Sequence, residues 1–267
     1  MKRVWGHILA GGMLLACAAG VSTACVQDNS TIFIFDVLAQ QLVSPGTACT
    51  YTSDPTQAYT PAGKLDLGFI DAYSAIFLVG NQIVPQGNAT TPTTETSYVQ
   101  IQGAVVHITD VEGNTLADYT QPVGGAAIAP AQGSVPSYEA ISVEILNPST
   151  TEPLRSFVEA GGTRQLITYT YFYGKTLGGQ SVQTGQFGFP VTVCYGCLVS
   201  YSKSDVDESA SIVPNCLLAV GSATSTSLPV PCTLGEDDSV DCSQCLGYPV
   251  CRGSISGIVS NLDAGSD

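Results

Sequence analysis

The chain predicts an all-β protein, an immunoglobulin-like β-sandwich followed by a disulfide-rich, mostly irregular carboxy-terminal segment. Three observations carry this expectation. Across residues 29–193, short apolar runs alternate with clusters of Gly, Pro, Thr and Asn, and almost no stretch repeats with a helical period. Within that region LITYTYFYGKT and SVQTGQFGFPVTV flank Gly178 and Gly179, a pair that supplies the positive φ of a tight hairpin turn. Finally, seven of the ten cysteines fall after residue 193.

The first element is a leader. In MKRVWGHILAGGMLLACAAGVSTAC, Lys2 and Arg3 precede an uncharged run and then small residues, the plan of a secretory signal peptide over 1–24. A single-span anchor is the competing reading, but a span needs about 20 apolar residues and this run is rich in Gly, Ala, Ser and Thr. Leu14-Leu15-Ala16-Cys17 resembles a bacterial lipobox, and Thr23-Ala24-Cys25 a looser one. Parity favours Cys25 for lipidation: cleavage there leaves eight further cysteines, an even set, whereas cleavage before Cys17 leaves nine. Ser22 and Ala24 also satisfy the small-x-small rule of ordinary secretory cleavage, so a secreted or periplasmic chain stays open beside an envelope lipoprotein.

Charge narrows the partners. The chain carries a net charge of −14, and losing Lys2 and Arg3 with the leader leaves six basic residues against 22 acidic ones. Such a chain is repelled by nucleic acid and by anionic lipid, so no nucleic-acid partner is expected, and membrane contact only through a lipid anchor.

The sandwich is expected over 25–193, with strands at 31–38, 64–70, 74–79, 98–110, 137–146, 165–173 and 181–193. In the long run YVQIQGAVVHITD the apolar phase changes at Gly103, which a β-bulge there reconciles, leaving His107 pointing outward. Residues 86–96 and 123–136 read as loops at the sandwich ends. In 165–173, Tyr169, Tyr171 and Tyr173 share one face; such a row either dresses a sheet or forms a flat platform for sugar or peptide.

The cysteine-rich segment, 194–252, has too little apolar mass for an independent core, so crosslinks are expected to order it, with a frayed tail over 253–267. The disulfide candidates are Cys49, Cys194, Cys197, Cys216, Cys232, Cys242, Cys245 and Cys251. Inside a cell Cys194-x2-Cys197 and Cys242-x2-Cys245 would suggest a four-thiolate zinc site, but the leader and the interleaved cysteines favour disulfides. The redox reading of the first pair is weaker, because Cys194 ends a strand instead of opening a helix. Cys49 stands alone, so its partner is expected beyond residue 193. Glu236, Asp237, Asp238 and Asp241 could hold calcium, although a solvated acidic turn fits their spacing better than an EF-hand loop; no metal and no cofactor are therefore expected. Catalysis finds little support, since His107 is the only histidine after the leader and no Gly-x-Ser-x-Gly elbow is present.

The combination of ACVQDNSTIFI after the leader, QFGFPVTVCYGCL and VDCSQC resembles uncharacterised surface lipoproteins of myxobacteria. That resemblance implies an envelope location and a β domain with a cysteine-rich end, and no catalytic residue. The expected role is a non-enzymatic binding or adhesion module of the cell envelope, facing an envelope protein or extracellular ligand. The alternatives are a structural subunit of an envelope complex or a secreted hydrolase with an unrecognised site.

Overall fold

A computed structural model describes residues 31–44, 47–85, 95–201, 229–245 and 247–252. The expected signal peptide, Cys17, Cys25, Cys216, most of the expected loop at 86–96 and the tail beyond 252 lie outside the described residues. No described helix is long and apolar enough to cross a membrane.

The chain is mostly β. In order come β1 (Ile32–Val37), β2 (Leu42–Val43), β3 (Gly63–Asp66), β4 (Tyr73–Asn81), β5 (Val99–Asp110), β6 (Thr115–Pro122), β7 (Ala127–Ile128) and β8 (Ser137–Leu146). Two short helices follow, α1 (Pro148–Thr151) and α2 (Arg155–Glu159). Then come β9 (Arg164–Thr176), β10 (Ser181–Gln183), β11 (Phe187–Cys194), β12 (Val199–Ser200), β13 (Val230–Pro231) and β14 (Val240–Asp241).

Alternation sorts the side chains into an inner and an outer face. In β9 Leu166, Thr168, Thr170 and Phe172 are buried, while Ile167, Tyr169, Tyr171 and Tyr173 are only half-buried. A three-stranded sheet runs β1-β4-β8, and a seven-stranded sheet runs β3-β11-β9-β5-β6 with β7 and β10 alongside β5 and β9. One apolar core joins them, with Tyr73, Phe77 and Val143 from the smaller sheet and Val106, Phe172 and Val191 from the larger. Phe77 meets Phe172 edge-on at 5.5 Å, and both rings are fully buried. Truncating either to alanine would cost about 3–5 kcal/mol.

Several elements differ from the sequence expectation. The run expected over 64–70 stops at Asp66, whose Oδ1 accepts the Gly68 N–H at 2.9 Å and turns the chain. The run over 181–193 is two strands, because the Thr184 hydroxyl accepts the Phe172 N–H at 3.0 Å and donates to Gly185 O at 2.8 Å, interrupting the ladder. Strand β6 is additional: TLADYTQP is polar and mostly exposed, as suits a sheet edge. Residues 123–136 are more than an end loop, since β7 pairs with β5 and Ile128 is fully buried. The helical stretch is also additional. Asn147 caps it by accepting the Thr150 N–H at 3.0 Å, Pro148 starts it, and Val158 buries its face. In β5 a register shift lies between Ile101 and Gly103, so Val99 and Ile101 as well as Ala104, Val106 and Ile108 reach the core.

The carboxy-terminal segment holds to the rest of the chain by more than crosslinks. Strand β13 pairs with β2, and β12 runs parallel to β14. Val240, Cys242, Cys245 and Cys251 form a second apolar cluster with Phe69, Leu234 and Val250.

Candidate functional site

The junction between the two parts is built on backbone pairing. Strand β3 is the edge of the larger sheet, and residues 235–237 lie against it: Asp66 N–H donates to Gly235 O at 2.8 Å, and Asp237 N–H to Lys64 O at 3.0 Å. Gly235 is required twice over, because its φ is +93° and a Cβ there would sit 2.7 Å from the Phe69 Cβ. Asp237, at φ +59°, is the only non-glycine residue of positive φ among the described residues.

This pairing drives two carboxylates into the fold. Glu236 is 1 % exposed. Its Oε1 accepts the Ser74 N–H at 2.8 Å and its Oε2 accepts from Gln40 Nε2 at 2.7 Å. Asp237 Oδ1 accepts the Lys64 N–H at 2.8 Å, and its Oδ2 accepts from the Tyr73 hydroxyl at 2.8 Å. Burial pushes the Glu236 carboxyl up to about 7, against the stabilising Ser74 amide and with the nearby Asp237 charge adding to the rise. Burial likewise raises Asp237, opposed by the Lys64 amide and the Tyr73 hydroxyl, and it raises Asp238. The Tyr73 hydroxyl is driven far up by burial and then by the Asp237 charge.

The four acidic residues weighed for calcium therefore do not form one oxygen cage. Glu236 and Asp237 spend their oxygens on protein donors. Asp238 borders a shallow cleft of about 190 Å³ that Lys64 and Gln40 also line. Asp241 lies apart in β14. Calcium takes about six to eight oxygen ligands, and the carboxylate oxygens of these four residues do not converge on one point.

All seven described cysteines are bonded. Cys49, expected to pair beyond residue 193, joins Cys232 with a Cα–Cα distance of 5.7 Å. Cys194 joins Cys197, Cys245 joins Cys251, and Cys242 is disulfide-bonded as well. The sulfurs of the two C-x-x-C pairs are thus consumed, and Cys242 and Cys245 do not bond to each other. Beside Cys194 and Cys197 lies Asp66, which is fully buried. Its Oδ1 accepts the Gly68 and Gly196 N–H groups at 2.9 and 2.7 Å, and its Oδ2 accepts the Leu198 N–H at 2.9 Å. Sequence reasoning missed Asp66; the Asp-x-Gly turn at 66–68 was its only local mark.

The third feature is the outer face of the larger sheet. Tyr169, Tyr171 and Tyr173 project from β9 at alternate positions, each half-buried. Room beside them comes from glycine: a Cβ on Gly103 would lie 2.5 Å from the Tyr173 hydroxyl, and one on Gly188 would lie 3.3 Å from the Tyr169 ring. His107 is opposite Tyr169, with ring centroids 6.1 Å apart, and its Nδ1 is 2.5 Å from Asp118 Oδ1. Among the described residues no serine or cysteine hydrogen-bonds to His107. Val105 and Gln183 are the partners in register with Tyr171 and Tyr173, so the cross-strand neighbours of those two rings are uncharged, and the charges on this face of β9 and β5 come from Lys175 and the His107–Asp118 pair. At the far end of β4 a second opening, of about 400 Å³, is lined by Ile83, Thr96, Ser97, Thr176, Gly178 and Gln180.

Comparison with protein-family models, with curated proteins and with solved structures found no match. The functional reading rests on the residues themselves.

Proposed function

We propose that the chain is an exported, non-enzymatic binding or adhesion module of the cell envelope, lipid-anchored at Cys25, whose tyrosine face takes an uncharged, hydroxyl-rich polymer. The observation that carries this reading is the outward row Tyr169, Tyr171 and Tyr173, half-buried and flanked by Gly103 and Gly188. Alternate residues of a strand are about 6.7 Å apart, so the three rings span about 13 Å, enough for successive units of an extended ligand. Tyrosine offers an apolar ring for stacking and a hydroxyl for hydrogen bonding. Beside a chain of net charge −14, a face so poor in carboxylates favours a neutral ligand over a cationic one.

The architecture is read as an immunoglobulin-like sandwich. In support, two sheets share one core and nearly all their pairings are antiparallel, β3 with β11 being the parallel exception. The even set of cysteines left by lipidation at Cys25 accords with seven described cysteines all in disulfides. A structural subunit of an envelope complex is the second reading. It is favoured by Phe35, 41 % exposed on the edge strand β1 and packed edge-on against Tyr138 at 5.5 Å.

The test is retention on insoluble neutral cell-surface polysaccharide, comparing the full mature chain with Tyr169→Ala/Tyr171→Ala/Tyr173→Ala at matched melting temperature. At about 1 kcal/mol for each stacking ring, the triple variant should bind roughly 100-fold more weakly. Equal retention of both proteins, or none by the wild type, would reject the tyrosine face. Concentration-dependent dimerisation lost in Phe35→Ser would instead establish the subunit reading.

A further inference from the structure

We infer that Asp66, Cys194 and Cys197 form a reduction-gated site for a borderline-soft divalent cation such as Zn²⁺. One ligand atom from each, the two sulfurs and a carboxylate oxygen, lies within 4.8 Å of the other two. Tetrahedral zinc with bonds of about 2.0–2.3 Å holds its ligands about 3.5 Å apart, so the carboxylate is already near its place and only the two sulfurs must separate. The Cα–Cα distance of 6.0 Å between Cys194 and Cys197 accommodates that separation without moving the strand.

Among the three disulfides whose two cysteines are both described, two features make this one the first to open. Cys197 is exposed, whereas Cys245 and Cys251 are buried and Cys49 and Cys232 are half-buried, so a reductant reaches the Cys197 sulfur first. Its sequence separation is 3, against 183 for Cys49–Cys232. On the chain-entropy account those loops contribute about 2 and about 5 kcal/mol, so opening the short one costs the fold least.

Asp66 decides what the opened pair can do. Its carboxylate is oriented by the N–H groups of Gly68 and Gly196 on Oδ1 and of Leu198 on Oδ2, which leaves an Oδ2 lone pair for a metal. Two thiolates and a carboxylate would bring three negative charges together, and a dication bound among them offsets two of the three. Exposure at Cys197 leaves the fourth coordination position to water or an external ligand.

The chemistry balances as follows. Two equivalents of a small thiol give up two electrons and two protons to the Cys194–Cys197 bond, leaving two protein thiols and the thiol's own disulfide. Binding of the dication then releases both protons and forms two metal–thiolate bonds and one metal–carboxylate bond.

The experiment uses the full mature chain. It is titrated anaerobically with a small thiol, mapped by alkylation, freed of reductant and then titrated with Co²⁺ as the optical probe. Alkylation should mark Cys194 and Cys197 while Cys49–Cys232 and Cys245–Cys251 remain closed. The reduced protein should then take one equivalent of Co²⁺ with thiolate-to-metal absorption in the near ultraviolet, displaced by Zn²⁺, and the oxidised protein none. Asp66→Asn should weaken Co²⁺ by roughly 10- to 100-fold. Should that variant misfold, Cys194→Ser/Cys197→Ser, which removes both sulfurs, must abolish the thiolate band while keeping the wild-type circular dichroism. Opening of another disulfide first, absence of Co²⁺ binding after reduction, or equal binding by the oxidised protein would each overturn the inference.

Discussion

Glu236→Gln isolates the energetic cost of burying an acid at the junction. The Glu236 carboxyl rises from 4.5 to about 7 on folding. Between those values the folded chain holds a proton that the unfolded chain has lost, so stability falls as pH climbs from about 4.5 to about 7 and is flat beyond. At 1.36 kcal/mol for each tenfold change in acidity, the ionised form costs the fold about 3 kcal/mol above pH 7. Glutamine keeps an acceptor for the Ser74 N–H and, with the Gln40 amide turned over, a donor towards Gln40, yet never ionises. Thermal unfolding of both proteins at steps from pH 4.5 to 8.5 would measure this. The stability of Glu236→Gln relative to wild type should rise by about 3 kcal/mol across the range, equivalent to about 6–12 °C in the difference of melting temperatures. Asp237 and Asp238 titrate in both proteins and cancel from that difference. A difference that does not change with pH would refute the reasoning, and one that narrowed as pH rose would show that donors outweigh burial at this carboxylate.

Cys49→Ser with Cys232→Ser should cost about 2–5 kcal/mol in chemical unfolding and should expose residues 229–245 to limited proteolysis, while the three-stranded and seven-stranded sheets keep their far-ultraviolet spectrum. Intact-mass analysis of the mature protein should find a lipid-modified chain beginning at Cys25; an unmodified chain, or one beginning at Cys17, would reject that assignment. Non-reducing peptide mapping should find four bridges, one of them through Cys242, and free thiols in the isolated protein would reject the parity argument.

How far the sequence could be read depended on whether each contact was local. Strands β4, β5, β8 and β9 were legible because alternation with period two survives wherever one face is buried, as Leu166, Thr168, Thr170 and Phe172 show. Strand β6 was not, because an edge strand buries too little to impose that pattern on TLADYTQP. The helical stretch was too short for a period, although Asn147-Pro148 carried its start signal. The junction was least legible. LGEDDSVD reads locally as a polar turn, and only pairing with β3, about 170 residues earlier, turns Glu236 and Asp237 from solvated acids into buried acceptors. Asp66 was hidden for the same reason: two of its three donors come from the Cys194–Cys197 turn, 130 and 132 positions away.

The Cys49–Cys232 bond also fixes how the molecule would carry tension. Were the chain held at its amino terminus and pulled beyond residue 232, the force would enter at Cys49, cross the sulfur–sulfur bond and leave at Cys232. The 183 residues of separation between them, β3 to β11 included, would form a closed ring outside the force path. Extended, that stretch would otherwise release about 600 Å of slack. Only β1, β2 and the residues after Cys232 would feel the pull, so the tyrosine face would keep its shape on a tether under strain.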